Sequence, residues 1–161
     1  MNSLKIGVIV LLIGSTALAQ SSANAESEDL YYKSLKIYLE ENEKEYSKLF
    51  ADRDFTKAII MKDSFLPQNL PTSIGKYKVD FIDYEELRKR LKKETNRTLI
   101  VAEFGPLLNQ GNKFIISIAE YHAKYERRKL SLGLSDGIRI TFRFDCGREK
   151  FIFETFEFFG V

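Results

Sequence analysis

The sequence is poor in the residues that build metal centres and disulfides, since its 161 residues include one cysteine and one histidine. A single cysteine cannot form a disulfide within the chain, so the fold must be stabilised by packing. We expect Cys146 to be a buried, inert thiol, with intermolecular pairing as the alternative. Because zinc and iron-sulfur centres need clusters of Cys or His, no metal and no cofactor is expected.

Motifs of nucleophilic and nucleotide chemistry are also missing. The chain has no G-x-S-x-G elbow, P-loop, G-x-G-x-x-G fingerprint or H-E-x-x-H helix. It has three prolines and no repeats or low-complexity tracts, so nothing indicates a linker between domains. The sequence therefore favours a protein that is not an enzyme, with a metal-free enzyme as the alternative.

The first 25 residues have the pattern of a secretory signal peptide. Lys5 precedes the apolar run Ile6 to Ile13, and Ala23-Asn24-Ala25 is a small-x-small site suited to signal peptidase, with residues 17–19 as a rival site. The apolar run is too short to span a membrane, and no Cys follows either site for lipid attachment. We therefore predict an exported protein, periplasmic or secreted, without a stable membrane anchor.

Cleavage after Ala25 leaves one domain, residues 26–161, with nearly balanced charge. This mature chain keeps 24 basic and 23 acidic side chains, so nucleic acid is not expected as a partner. Its thirteen Phe and eight Tyr indicate an aromatic-rich core. We expect the partner to be a protein or a small-molecule ligand, in the cell envelope or outside the cell.

The residue pattern predicts two helices and a sheet. Apolar spacing predicts a long N-terminal helix over about 27–50, with Ser27 as its N-cap. Asp83, followed three residues later by Glu86, predicts a second, short helix that ends near Lys93. Strands are predicted at 57–61, 77–82, 99–104, 114–125, 138–144 and 151–159. Short connections between successive strands favour an antiparallel sheet.

Two of these strands change their apolar face midway. In 114–125 the apolar positions pass from Ile116 and Ile118 to Tyr121 and Ala123, and 151–159 shows the same switch. Such a switch implies a bulge, a sharp coil or burial on different sides at the two ends. We therefore expect an α+β fold, with the long N-terminal helix packed on a curved antiparallel sheet of about five or six strands. Its element order resembles the cystatin-like and nuclear-transport-factor-2-like cone folds.

Three segments carry a further resemblance. Leu70–Val79, Asp83–Leu87 and Phe144–Phe153 are similar to parts of small, uncharacterised exported bacterial proteins, and the similarity spans most of the mature chain. Because that group has no assigned activity, the resemblance implies a signal peptide followed by one domain and no mechanism.

His122, the only histidine, stands two residues after Glu120. In a strand both side chains point to the same face, where they have the spacing of an acid-base pair. An exposed, charged strip is the favoured interpretation. The alternative is a cleft in which His122 acts as base and tyrosines such as Tyr121 and Tyr125 line the pocket.

A basic cluster on the second predicted helix is the other candidate site. Its members are Arg88, Lys89, Arg90, Lys92 and Lys93. The cluster has the charge to bind anionic glycans or phosphate groups. Cations near a helix C-terminus are also favoured by the helix dipole without any ligand, which is the preferred explanation. Residues 127–129 are interpreted in the same way, as a solvated turn.

The sequence predicts an exported, non-enzymatic binding or interaction domain, of the inhibitor or immunity kind, that binds a macromolecule or a small apolar ligand through its sheet. A small metal-free enzyme using His122 and Glu120 is the first alternative. An envelope structural protein is the second, because the aromatic row Phe156 to Phe159 offers an assembly edge.

Overall fold

A computed structural model describes residues 14–95 and 97–160 of the chain, with side chains from Leu30 onward. The elements in chain order are α1 (Gly14–Tyr46), β1 (Lys57–Met61), β2 (Ser73–Ile74), β3 (Tyr77–Ile82), α2 (Tyr84–Lys93), β4 (Thr98–Phe104), β5 (Leu108–Gln110), β6 (Lys113–Glu126), β7 (Lys129–Asp145) and β8 (Lys150–Gly160). The eight strands contain 65 of the 161 residues, against 43 in the two helices.

All eight strands belong to one mixed sheet, in the order β2-β3-β1-β4-β6-β7-β8, with β5 paired to β6. Strand β1 runs parallel to both β3 and β4, whereas β4, β6, β7 and β8 are antiparallel neighbours. Helix α2 connects β3 to β4 and so crosses over β1. The fold is α+β, as predicted. The predicted antiparallel sheet of five or six strands is wrong, because the sheet is mixed and has eight strands. The cystatin-like or nuclear-transport-factor-2-like cone, which rested on that sheet, is therefore wrong as well.

The predicted bounds of the first helix are also wrong. Ser27 lies inside α1 rather than at its N-cap, and the helix ends at Tyr46. The described side chains that it buries recur every three to four residues: Leu30, Tyr31, Ser34, Leu35, Tyr38, Leu39 and Asn42. The part of the helix that covers the sheet is therefore short. Leu49, expected to extend this apolar stripe, is 71% exposed and lies beyond the helix.

The apolar run Ile6 to Ile13, on which the signal-peptide prediction rests, lies outside the described residues. The predicted cleavage site at Ala25 falls within α1 of the uncleaved chain. No helix in the described part has both the length and the apolar character to cross a membrane.

The two helices pack on opposite faces of the sheet. Neighbouring residues of a strand point to opposite sides, so the same strands contribute to both packed faces. On the α1 face, Ile60, Ile116 and Ile118 join the larger core cluster with Leu35. On the α2 face, a smaller cluster consists of Met61, Ile82, Leu87, Leu91, Val101 and Ala123. The sheet core is therefore covered on each side by a different helix.

The predicted face switches coincide with irregular strand pairing. The register of β6 with β7 shifts between Ala119 and Tyr121, and the register of β7 with β8 shifts between Thr141 and Phe142. In β6 burial also changes sides, since Ile118 belongs to the α1 cluster and Ala123 to the α2 cluster. Both the bulge and the change of buried side thus explain the pattern.

The second helix and most strands agree with the sequence analysis. The Asp83 side chain accepts a hydrogen bond from the Glu86 backbone N–H at 2.8 Å, which confirms the predicted cap of α2. Strands β1 and β3 have the predicted bounds. The expectation of a buried Cys146 is wrong: this thiol is exposed in the turn between β7 and β8.

Gly137 is required by a close contact in the sheet. A Cβ atom added there would lie 2.3 Å from Cζ of Phe159 and 2.9 Å from the carbonyl oxygen of Ile118. We expect Gly137→Ala to lower the free energy of unfolding by about 1–3 kcal/mol, because a ring and a backbone must move. Urea unfolding measures the change. Gly133→Ala in the same strand meets no atom within 4 Å and serves as control; equal losses in the two variants would contradict the assignment.

Candidate functional site

Glu120 is a carboxylate buried between α1 and the sheet, with 2% of the residue exposed. It accepts hydrogen bonds from the Tyr38 hydroxyl and from the Asn42 side-chain amide, both on α1. The Arg53 guanidinium adds two more, at 3.2 Å from Nη1 to Oε2 and 2.8 Å from Nη2 to Oε1. A buried charge is tolerated only when it is paired and hydrogen-bonded, and this carboxylate is both.

The pKa shifts of the partners agree with this arrangement. Burial, followed by the Glu120 charge, raises the pKa of Tyr38 well above its ordinary value, so the phenol stays a donor. Burial is the largest influence on Arg53 and would lower its pKa, but the hydrogen bonds to Glu120, the Glu120 charge and Tyr38 together outweigh it and raise that pKa. Arg53 therefore remains a cation and offsets the buried negative charge.

Arg53 also fixes the segment that follows α1. Its guanidinium lies 4.6 Å from the centre of the Phe55 ring, on a loop of tight turns that includes an Arg53 N–H to Phe50 carbonyl hydrogen bond of 3.1 Å. The loop is thereby held against the sheet. Arg53 is thus the link between the buried Glu120 and the exposed residues Leu49 and Phe50.

A groove of about 560 Å³ lies beyond the end of α1, on the part of the sheet that the helix does not cover. One wall is the loop just described, and the floor consists of side chains from three adjacent strands. Its lining residues are Tyr46, Leu49, Phe50, Ala51, Asp52, Arg53, Ile100, His122, Ser135 and Asp136.

The structure places His122 in this groove but does not pair it with Glu120. His122 is exposed and lies between Ile100 on β4 and Gly133 on β7. Within the described part of the chain its imidazole makes no hydrogen bond, whereas Glu120 binds Arg53, Tyr38 and Asn42. The two residues share a strand face as predicted, yet one is a buried anchor and the other an open surface group.

Aromatic rings form a continuous row along the α1 face from β8 to the groove. We call Phe153, Phe156, Phe158, Tyr46 and Phe50 the aromatic stripe. Successive ring centres lie 6.5, 5.6, 5.8 and 6.1 Å apart, within the range of favourable aromatic contacts. The two ends of the stripe are open to solvent, with Phe153 45% and Phe50 53% exposed.

The stripe lies beside an unprotected sheet edge. β8 is the terminal strand of the sheet, and in the described part of the chain nothing pairs with its outer side. Its register with β7 is unbroken from Thr155 to Gly160. The opposite edge strand, β2, has only two residues, which is a common way to make an edge unreceptive.

The predicted basic and tyrosine sites lie away from this groove. In the basic cluster of α2, Arg90 is neutralised by Asp80 at 2.7 Å and Glu86 at 3.2 Å, which raises its pKa through these hydrogen bonds, the Asp80 bond foremost. Lys92 lies 5.4 Å from the centre of the Tyr125 ring. Arg88, Lys89 and Lys93 are exposed. Tyr121 and Tyr125 pack against the α2 cluster, not in a cone.

Several residues of the groove were beyond the reach of sequence analysis. Arg53 lies in a polar loop, and nothing in its neighbourhood indicates that it meets a strand residue 67 positions away. Asn42 did leave a signal, because it interrupts the apolar side of a helix where a buried polar residue needs a partner. Asp136 lies between Gly133 and Gly137, where the sequence favours a turn, so it was not predicted as a site residue.

Comparison of the chain with family models, with curated proteins and with solved structures gives no match in any of the three. Its function is therefore inferred from the geometry, and the resemblance to small exported bacterial proteins stays a prediction.

Arg53→Ala is expected to lower the free energy of unfolding by about 2–3 kcal/mol, because it leaves Glu120 buried without its countercharge. The loss is below that of a fully buried pair, since the Arg53 side chain is 24% exposed. Hydrogen exchange of residues 47–55 should also rise. Lys57→Ala removes an equally close but exposed ion pair with Asp54, at 2.7 Å, and should leave the unfolding free energy nearly unchanged. Similar losses in both variants would contradict the anchoring role.

Proposed function

We propose that this chain is an exported, non-enzymatic binding domain that captures an extended polypeptide segment of a partner protein. The segment adds a strand to the outer edge of β8 at Thr155–Gly160 and lies along the aromatic stripe. The observation that carries this proposal is the coincidence of a regular edge strand, unpaired on its outer side among the described residues, with a continuous aromatic row whose two ends are exposed.

The edge supplies the backbone part of the recognition. An unpaired strand presents a row of N–H and C=O groups, and an extended peptide is the ligand that satisfies them. Glu154 is the extra residue at the bulge of β8, so the regular half of the edge begins after it. That half is six residues long, which is the usual length of a strand in a sheet.

The aromatic stripe supplies the side-chain part of the recognition. Phe156 and Phe158 point to the α1 face, and alternate residues of an added strand would lie beside them at about 5 Å. Gly160 pairs with Asp136 of β7, which lines the groove, so this end of the edge lies next to the groove. The favoured partner is therefore a segment in which every second residue is apolar, with a polar or basic end over Asp136.

The environment of the acid-base candidates also supports binding rather than catalysis. Glu120 has its oxygens occupied by three donors, so it is not free to take a proton from a ligand in the groove. Ser135 donates its hydroxyl hydrogen bond to Asp136 at 2.9 Å rather than to His122. No activated nucleophile follows from this arrangement.

Selection of peptides from a random displayed library tests the proposal. We expect binders with alternating apolar residues, and a synthetic copy should slow amide hydrogen exchange in Thr155–Gly160. The double variant Phe50→Ser and Phe153→Ser removes both exposed ends of the stripe and should weaken this peptide at least about tenfold, as for interface aromatic anchors. Fluorescence titration measures the affinity.

Tyr84→Ser with Leu108→Ser is the matched control, since these side chains are 46% and 48% exposed elsewhere. The control should leave peptide affinity unchanged. The proposal would be overturned by peptides that bind the stripe variant with unchanged affinity and leave amide hydrogen exchange in β8 unaltered. Concentration-dependent dimerisation through β8 in sedimentation would instead favour assembly from copies of this chain.

Export is tested by N-terminal sequencing of the protein recovered outside the cytoplasm. Cleavage after Ala25 should give a chain that begins at Glu26, because signal peptidase cuts after the small-x-small site. A chain that begins at Gln20 would assign the rival site. Recovery of the intact chain from the cytoplasm alone would contradict export.

A further inference from the structure

We propose that the end of the molecule opposite the β7–β8 turn is a binding site for phosphate groups. The site consists of the β6–β7 turn together with Thr95 and Arg97, which lie between α2 and β4. It does not depend on the peptide-binding function, because it uses other residues. The ligand is a cluster of phosphate groups, carried either by a free anion or by lipid headgroups.

The charge of this end differs from that of the whole chain. It carries seven basic side chains and two acidic ones, although the chain as a whole has 25 and 23. The basic residues are Lys92, Lys93, Arg97, Lys124, Arg127, Arg128 and Lys129, and the acidic ones are Glu94 and Glu126. They are brought together by a hydrogen bond of 3.1 Å from the Tyr125 N–H to the Arg97 carbonyl and by Lys92 above the Tyr125 ring.

Most of these cations have no countercharge. Elsewhere on the described surface some basic side chains lie in ion pairs, as Lys57 does with Asp54 and Arg139 with Glu157, whereas others stand singly. Here Lys124 pairs with Glu126 at 2.8 Å. Within the described ranges Arg97, Arg127, Arg128 and Lys129 make no ion pair, so their charges are available to an anion.

These side chains surround a depression rather than a flat surface. A cavity of about 780 Å³ is lined by Thr95, Arg97, Glu126, Arg127, Lys129 and Ser131. Two guanidinium groups, an ammonium group and two hydroxyls are the donors that bind phosphate oxygens, and guanidinium groups can do so in a bidentate way. A cavity of this volume has room for more than one phosphate group.

The backbone gives an independent reason to assign a function to the arginines. Glu126 pairs with Lys129, so Arg127 and Arg128 form a two-residue hairpin turn, with φ of 48° and 65°. Two positive φ angles define the turn type that favours Asn-Gly, because side chains with a bulky Cβ are strained there. Arg97, on the other side of the cavity, also has a positive φ, of 51°. Arg97 and Arg127, which line this cavity, and Arg128 beside them thus occupy backbone positions unfavourable for folding, which is expected where binding maintains them. The one other described non-glycine residue with a positive φ is Glu149, in the opposite turn.

The test replaces the turn by the sequence that its backbone prefers. In Arg127→Asn with Arg128→Gly, the thermal unfolding midpoint should rise by roughly 3 °C or more, since the strain is removed. Binding of pyrophosphate, measured by calorimetry at low salt, should weaken about tenfold, because the cavity loses the Arg127 guanidinium and the Arg128 charge beside it. A variant that is more stable yet binds less separates the ligand site from a structural role.

Vesicles containing phosphatidylglycerol, compared with phosphatidylcholine vesicles, form the second arm and distinguish lipid headgroups from free phosphate. Binding in either arm that weakens in the variant and with added salt supports the proposal. Arg148→Asn with Lys150→Asn removes two charges from the opposite hairpin turn and should leave binding unchanged. Absence of binding in both arms, or equal loss in this control, would overturn the proposal.

Discussion

The Glu120 carboxylate connects three parts of the molecule: the sheet, α1 and the loop that follows α1. It belongs to the sheet, it receives two hydrogen bonds from α1, and it binds the guanidinium of Arg53 in the loop that follows the helix. Each partner satisfies part of a buried charge. Loss of any one partner would therefore leave buried polar groups unpaired, at a large desolvation penalty. The loop position, the end of α1 and the wall of the groove thus follow from one electrostatic cluster, rather than from apolar packing alone.

The bulge in the sheet lies at the same place. Ala119 pairs with Gly137 and Tyr121 with Leu134, so Ser135 and Asp136 of β7 together face the single residue Glu120 of β6. A bulge of this kind lets the two strands continue while the side chains near it change direction. It sets Asp136 beside Tyr46, where burial and then the Asp136 charge raise the pKa of the Tyr46 phenol. The irregularity therefore supports both the buried cluster and the polar end of the groove.

Local patterns were sufficient to predict the parts of the fold that depend on neighbouring residues. The cap of α2 needed only Asp83 and Glu86, and the face switch in β8 indicated the bulge that occurs at Glu154. The parallel pairing of β1 with β3 and β4 was not predictable, because short connections favour antiparallel neighbours and α2 gave no sign of crossing over β1. The first half of β7 was not predicted as a strand, because Gly133 and Gly137 interrupt the alternating leucines in this part of the sequence. The groove depends on Arg53, whose contact is between distant positions, and no single-sequence pattern contains it.

Two surfaces of the molecule depart from common rules for turns and sheet edges, and each does so next to a shape suited to a ligand, which is the reason to assign functions to them. One further departure, a positive φ of 50° at Glu149, lies in the β7–β8 turn. Glycine occupies the positive-φ positions at Gly75 and Gly111, and β2 is short, as a protected sheet edge should be. The β6–β7 turn instead carries arginines in strained positions, and β8 leaves a long edge beside exposed phenylalanines. Each departure lowers stability or solubility in the isolated chain, and each would be offset by a ligand that fits it, an anion in one case and an extended peptide in the other. Since the two surfaces differ in chemistry and share no residue, binding at one does not require the other.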